Sequence, residues 1–220
     1  MSEFTVHSVP GSPFGRAVLA TLEEKGASYR LASLAPRALR SQEDLKRLHP
    51  FGRVPVLDHR DFRLYETQAI LRYLDRVLPN PPLTPTDPRR AARMDQVMNV
   101  NDWYLFQGVG NVIVFHRVVG PRVLGTTPDE EAITAAMPKA RTVFNELARL
   151  LGGQTHFAGD TLSLADLLLA PAIDFFTATP EWPELGAPHP NLVAWMARMQ
   201  KRPSMKATTW ERVSELAKVA

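Results

Sequence analysis

Three short stretches put reactive or ligand-binding groups at the ends of predicted elements. In SPFGRAVLATLEEKG, residues 12–26, Ser12 precedes a run of helical character. A serine there offers its hydroxyl at the positive end of a helix, where negative charge is stabilised. No G-x-S-x-G elbow surrounds it, and no histidine is placed by local sequence to activate it, which argues against a serine hydrolase. Donation of a hydrogen bond to a ligand's thiolate fits the pattern, and so does a serine that only caps the helix. In HPFGRVPVLDHRDFRLYET, residues 49–67, Val54-Pro55 heads an apolar run. Proline has no backbone N–H, and X-Pro is the one common site of a cis bond. A cis bond here would turn the Val54 backbone outward to pair with a peptide-like ligand, whereas a trans proline at a strand edge is the commoner arrangement. Arg53 stands beside such a ligand or is simply solvated. Glu66-Thr67 closes the stretch at a strand-to-helix junction. Thr67 reads as a cap fronting an anion site, and Glu66 can pair with an ammonium. A ligand with an ammonium and a carboxylate on one carbon would satisfy both, although ordinary capping also explains the letters.

The elements that must position these groups follow from periodicity. Phe4 to Val9 is strand-like and stops at Pro10-Gly11. From Phe14 to Lys25, Val18, Leu19 and Leu22 share a helical face, and Gly26 ends the helix. Tyr29 to Leu34 reads as a strand, and Ser41 to Leu48 has helical propensity. Val56-Leu57 and Phe62 to Tyr65 form a hairpin around Asp58 to Asp61. From Thr67, the positions Ile70, Leu71, Leu74, Val77 and Leu78 recur at helical spacing. The order β-α-β-α-β-β-α is a compact α/β domain over residues 1–80. PNPPLTPTDP, residues 79–88, is too rich in proline for a helix or a central strand, and a linker is placed at 81–88. Residues 89–220 read as all-helical. One long segment runs from Arg89 to about Val119 with a bend at Gly108–Gly110, and others span Pro128 to Leu151, Ser163 to Phe176 and Leu192 to Lys201. GDTLSLAD predicts a helix start with Ser163 as N-cap and Asp166 three residues on, a folding signal with no chemistry assigned.

Composition excludes several classes. The chain of 220 residues has 26 Lys+Arg against 23 Asp+Glu, a net +3 that is too balanced to argue for nucleic acid. All of that surplus lies in residues 1–83, which carry 12 basic and 9 acidic residues, so a small anionic ligand suits the first third. The absence of cysteine removes disulfides, thiolate metal sites and any protein thiol nucleophile. The six histidines form no H-x-x-x-H pair, so no metal is expected. No apolar run reaches the ~18 residues of a membrane span and Met1 to Pro10 lacks signal-peptide character, so a cytoplasmic protein away from membranes is expected.

Taken together, these stretches resemble the cytosolic glutathione transferase family over nearly the whole chain. HPFGRVPVLDHRDFRLYETQAILRYL is similar to the family's N-P-x-G-x-V-P-x-L…E-S-x-A-I-x-x-Y-L, and GDTLSLAD and PNLVAWMARMQKRP look like family features. SPFGRAVLATLEEKG resembles the serine-type branches, phi and tau, and the chain reads as a bacterial member of that kind. The resemblance implies a thioredoxin-like α/β domain that binds glutathione, then an all-α domain that supplies a hydrophobic-substrate pocket. It implies Ser12 at the glutathione sulfur, Val54 on the cysteinyl backbone before a cis Pro55, and Glu66 with Thr67 on the γ-glutamyl end. Arg40, Lys46 and Arg53 are candidates for the glycyl carboxylate. Phe14, Tyr104 and His116 are candidates for the hydrophobic pocket, alongside Trp103 and Phe106. Asn101 and Asp102 fall where some relatives reach a neighbouring subunit's glutathione. The resemblance further implies a homodimer that detoxifies hydrophobic electrophiles by conjugation. His49 departs from the family's Asn and Thr67 from its Ser. The first-helix arginine, usually five residues after the serine, falls at Arg16, one residue early. Glutathione-dependent isomerisation, peroxidase activity and a non-catalytic interaction module are the alternatives.

Overall fold

Phe4, Val6 and Ser8 point inward while Thr5 and His7 stand at the margin, the period-two pattern of a strand covered on one side. In the computed structural model, which describes residues 3–34 and 42–219, this strand is β1 (Phe4–Ser8). It is followed by α1 (Pro13–Glu24), β2 (Tyr29–Ser33), α2 (Gln42–Leu48), β3 (Val56–His59), β4 (Phe62–Tyr65) and α3 (Thr67–Val77). The four strands are ordered β2-β1-β3-β4. The β1–β2 pair is parallel because α1 carries the chain across, whereas β3 runs antiparallel to both β1 and β4. This is the thioredoxin-like α/β fold expected from the sequence. Val18, Leu19, Leu22, Ile70, Leu71 and Leu74 of the helices are fully buried, as are Val6, Val56 and Leu57 of the sheet.

The remaining elements are helical. Helix α4 (Pro88–Val100) runs into a π-wound segment (Asn101–Gly110), then α5 (Asn111–Val114) and a second π-wound segment (Phe115–Leu124). The bend expected at Gly108–Gly110 is a true break: Gln107 is extended and Gly108 takes a φ of +75°. The helical path also continues past the expected end, to Leu124, with Pro121 inside it. Helices α6 (Glu130–Leu151), α7 (Leu164–Thr177), α8 (Trp182–Leu185), α9 (Pro190–Lys201), α10 (Pro203–Ala207) and α11 (Trp210–Val219) follow. The short α8, α10 and α11 were not visible as periodic segments.

The chain clusters into two units, one made of residues up to Pro82 together with those from Arg202 onward, the other of Leu83–Lys201. Within the first unit, α10 is fastened to α1. The carboxylate of Glu24 accepts two hydrogen bonds from Arg202, both at 2.7 Å, and one from the Ser204 hydroxyl. Burial opposes ionisation of Glu24, but the Arg202 and Ser204 bonds outweigh it and hold its pKa below the usual carboxylate range. Within the second unit, Asp166 organises the start of α7. Its buried carboxylate accepts from the backbone N–H of Ser163 (2.9 Å) and Phe157 (3.0 Å), from the Ser163 hydroxyl (2.7 Å) and from Trp195 Nε1 (2.8 Å).

Candidate functional site

Strand register alone gathers the candidate residues. Position Val56 at the start of β3 pairs with His7 near the end of β1, and with Tyr65 at the end of β4. The chain leaving β1 toward Ser12, the chain entering β3 through Val54-Pro55, and the chain leaving β4 into Glu66-Thr67 therefore meet at one end of the sheet.

Ser12 is the N-cap of α1, with extended backbone, and its Oγ accepts from the Gly15 N–H at 3.0 Å. That bond uses a lone pair of the oxygen and leaves the hydroxyl proton available to donate. The turn before it is tightly packed. Gly11 has a φ of +82°, and a Cβ there would strike the Trp210 ring at 2.6 Å. A Cβ on Gly15 would lie 1.9 Å from the Ser8 Oγ. Arg16, one residue early for the family pattern, donates to the Met205 carbonyl at 3.0 Å and so ties α1 to α10.

The Val54–Pro55 bond is cis, with Pro55 buried and Val54 half-buried just ahead of β3. Asn80–Pro81 is also cis, a feature for which the sequence reading had no expectation. The Pro81 carbonyl accepts from Lys25 Nζ, which also pairs with Asp75 at 2.6 Å.

At the third stretch, Glu66 rather than Thr67 holds the capping position of α3. Its carbonyl accepts from Ile70 N (3.0 Å), no side chain caps the helix, and Thr67 is its buried first residue. Glu66 has a φ of 70° and a ψ of 113°, outside the regions open to a residue with a Cβ. Such a conformation costs about 1–3 kcal/mol and persists where surrounding structure enforces it, commonly at ligand sites. The Glu66 side chain is largely exposed, with Oε1 3.7 Å from Nε2 of His49. His49 itself is buried.

Of the basic candidates, Arg53 and Lys46 are exposed, and Arg40 lies outside the described residues. Phe14 is half-buried in the first turn of α1. In the second unit, Trp103 and Tyr104 are exposed and Phe106 is half-buried. His116 is half-buried beside the Phe115 ring, and its Nδ1 accepts from Asp129 N at 3.4 Å. Asn101 is buried and donates to the adjacent Asp102 carboxylate. Among the described residues no cluster of metal-ligating side chains occurs, and no helix is long and apolar enough to cross a membrane. The strained backbone of Glu66 had no signal in the sequence, because glutamate carries no turn preference. Gly15 did carry one, as a small residue one turn behind the capping serine.

Two family models match: the N-terminal domain of glutathione S-transferase over residues 2–76 and its C-terminal domain over residues 111–203. Glutathione S-transferase F14 of Arabidopsis thaliana is 33% identical over 199 residues, covering 87% of this chain and 77% of the relative. A glutathione S-transferase of Hyoscyamus muticus is 30% identical over 202 residues, covering 90% and 94%. Glutathione S-transferase-I bound with lactoylglutathione superposes with a TM-score of 0.80 at 26% identity and full coverage of both chains.

Proposed function

The chain belongs to the glutathione S-transferase family and is a glutathione transferase, and from that premise we infer that it is a serine-type enzyme whose thiolate donor is Ser12. What supports this reading is the shared end of the sheet, to which the strands bring a capping serine with a hydroxyl proton to spare, a cis X-Pro and a strained acidic residue.

The thiol of free glutathione has a pKa of about 8.5, so only a few per cent is nucleophilic at neutral pH. Lowering it by about two units requires about 2.7 kcal/mol of preferential thiolate stabilisation. One hydrogen bond to a charged acceptor supplies about 1.5–3 kcal/mol and a helix N-terminus about 0.3–1 kcal/mol. The Ser12 hydroxyl and the start of α1 are sufficient in magnitude. Ser12 acts as a donor and forms no covalent bond. The thiol proton leaves to solvent, and the sulfur attacks an electrophilic carbon, displacing a leaving group or adding to a polarised double bond.

The rest of the tripeptide is held by chain groups at the same end of the sheet. The Val54 backbone pairs with the cysteinyl residue, Glu66 takes the γ-glutamyl ammonium, and Thr67 with the start of α3 takes its carboxylate. Arg53, Arg40 and Lys46 are the candidate basic groups for the glycyl carboxylate. The helical segment from residue 89 supplies the electrophile pocket, with Tyr104 and His116 as its candidate residues. A homodimer of the phi and tau kind, working in the cytoplasm, completes the reading on family likeness. Retention on immobilised glutathione, followed by conjugation of a chlorodinitrobenzene, tests it. The expected result is elution by free glutathione and a conjugation rate that saturates in both substrates; specific retention without turnover would leave a binding module.

A further inference from the structure

On the reading that Glu66 holds the γ-glutamyl ammonium, we propose that His49 is a positioning residue for that carboxylate and that protonating its ring weakens recognition of the ammonium. His49 follows α2 and is buried, with 2% of its side chain exposed. Its Nδ1 accepts the backbone N–H of Phe51 at 3.2 Å, so in the neutral ring the proton belongs on Nε2. That nitrogen faces Oε1 of Glu66 at 3.7 Å, beyond hydrogen-bond length but well inside Coulomb range. The ring cannot swing away, because Tyr65 of β4 lies against it with centroids 4.5 Å apart and Phe51 meets its edge at 5.8 Å.

In the neutral state the N–H dipole is aimed at a carboxylate whose side chain is 64% exposed on a strained backbone, and it biases where that carboxylate sits. In the protonated state the imidazolium competes with the ligand's ammonium for the same charge. The groups acting on the ring are Glu66 at the start of α3, Arg53 in the loop before β3, and the Tyr65 ring. Burial lowers the His49 pKa most, Glu66 raises it and Arg53 lowers it, with the balance below the ordinary histidine range. The ring is therefore neutral at pH 7 and acquires its proton on acidification. A neutral Asn at this position, the family's usual residue, could still donate a hydrogen bond but could not change charge.

The test uses calorimetric binding of two tripeptides between about pH 7.5 and 5.5: glutathione, and the deamino analogue with hydrogen in place of its α-amino group. In the wild type, preference for glutathione should be large at the upper pH and shrink about fivefold at the lower, about one kcal/mol at tenfold per 1.4 kcal/mol. In His49→Asn the preference should persist and lose its pH dependence. A wild-type preference that is flat with pH, or an equal slope in His49→Asn, overturns the proposal. Should that variant fold poorly, the wild-type His49 ring can be titrated by NMR. Reciprocity requires saturating glutathione to lower its pKa further, and an unmoved or raised value overturns the proposal. Failure of both tripeptides to bind at any pH would overturn the glutathione reading, and this proposal with it.

Discussion

At the scale of single residues, the proposed chemistry rests on groups whose identity was plain in the sequence but whose conformation was not. Ser12 and Val54-Pro55 were legible because their letters restrict what the backbone can do: a serine before a helix caps it, and proline removes a donor. Glu66 was legible as a charge and opaque as a strained residue, since a φ of 70° on glutamate is imposed by the meeting of β4 and α3. The Thr67 capping role moved one residue for the same reason. Gly15 shows how closely the Ser12 turn is built. An alanine there would put its Cβ 1.9 Å from the Ser8 hydroxyl and 3.0 Å from the Ser8 Cβ. Gly15→Ala should cost about 1–3 kcal/mol by overpacking, and Ser8→Gly in the same chain should recover part of that loss. Thermal unfolding of the two variants beside wild type measures this, and a Gly15→Ala chain as stable as wild type would contradict the packing described.

At the scale of elements, periodicity located α1, α3, α6, α7 and α9 because each has one apolar face longer than two turns. It missed α8 and α10, which span four and five residues and are fixed by contacts remote in sequence, and also the ten-residue α11. The Arg202–Glu24 pair joins residues 178 apart, and no local pattern reports such a partner. The start of α7 lies between these cases. Ser163 and Asp166 announced the cap, but not that the carboxylate would also take Phe157 N–H and the Trp195 indole. Asp166 therefore does more than a surface capping box. Removing it strands buried donors from three residues, and Asp166→Ala should lose about 3–5 kcal/mol in urea unfolding, with Asp166→Asn losing less. A loss below about 1 kcal/mol would show that the buried donors find water or other acceptors.

At the scale of the whole molecule, the order of elements and the split between α/β and helical regions were readable from alternation, helical spacing and the proline-rich stretch. The topology then converts four short strands into a site. Because β3 runs antiparallel to both of its neighbours, three segments far apart in sequence arrive at one end of the sheet. The surplus of positive charge in residues 1–83 suits the anionic tripeptide proposed to bind there. The identity of the electrophile was not legible, because the shape of an apolar pocket depends on packing that periodicity does not encode. The decisive quantity is the pKa of the glutathione thiol when bound, read by ultraviolet difference absorbance in wild type and in Ser12→Ala. A bound value about two units below that of free glutathione, returning most of the way in the variant, is expected if the Ser12 hydroxyl holds the thiolate. A depressed value that is unchanged in Ser12→Ala would contradict that role and leave the start of α1, or another donor, to stabilise the thiolate.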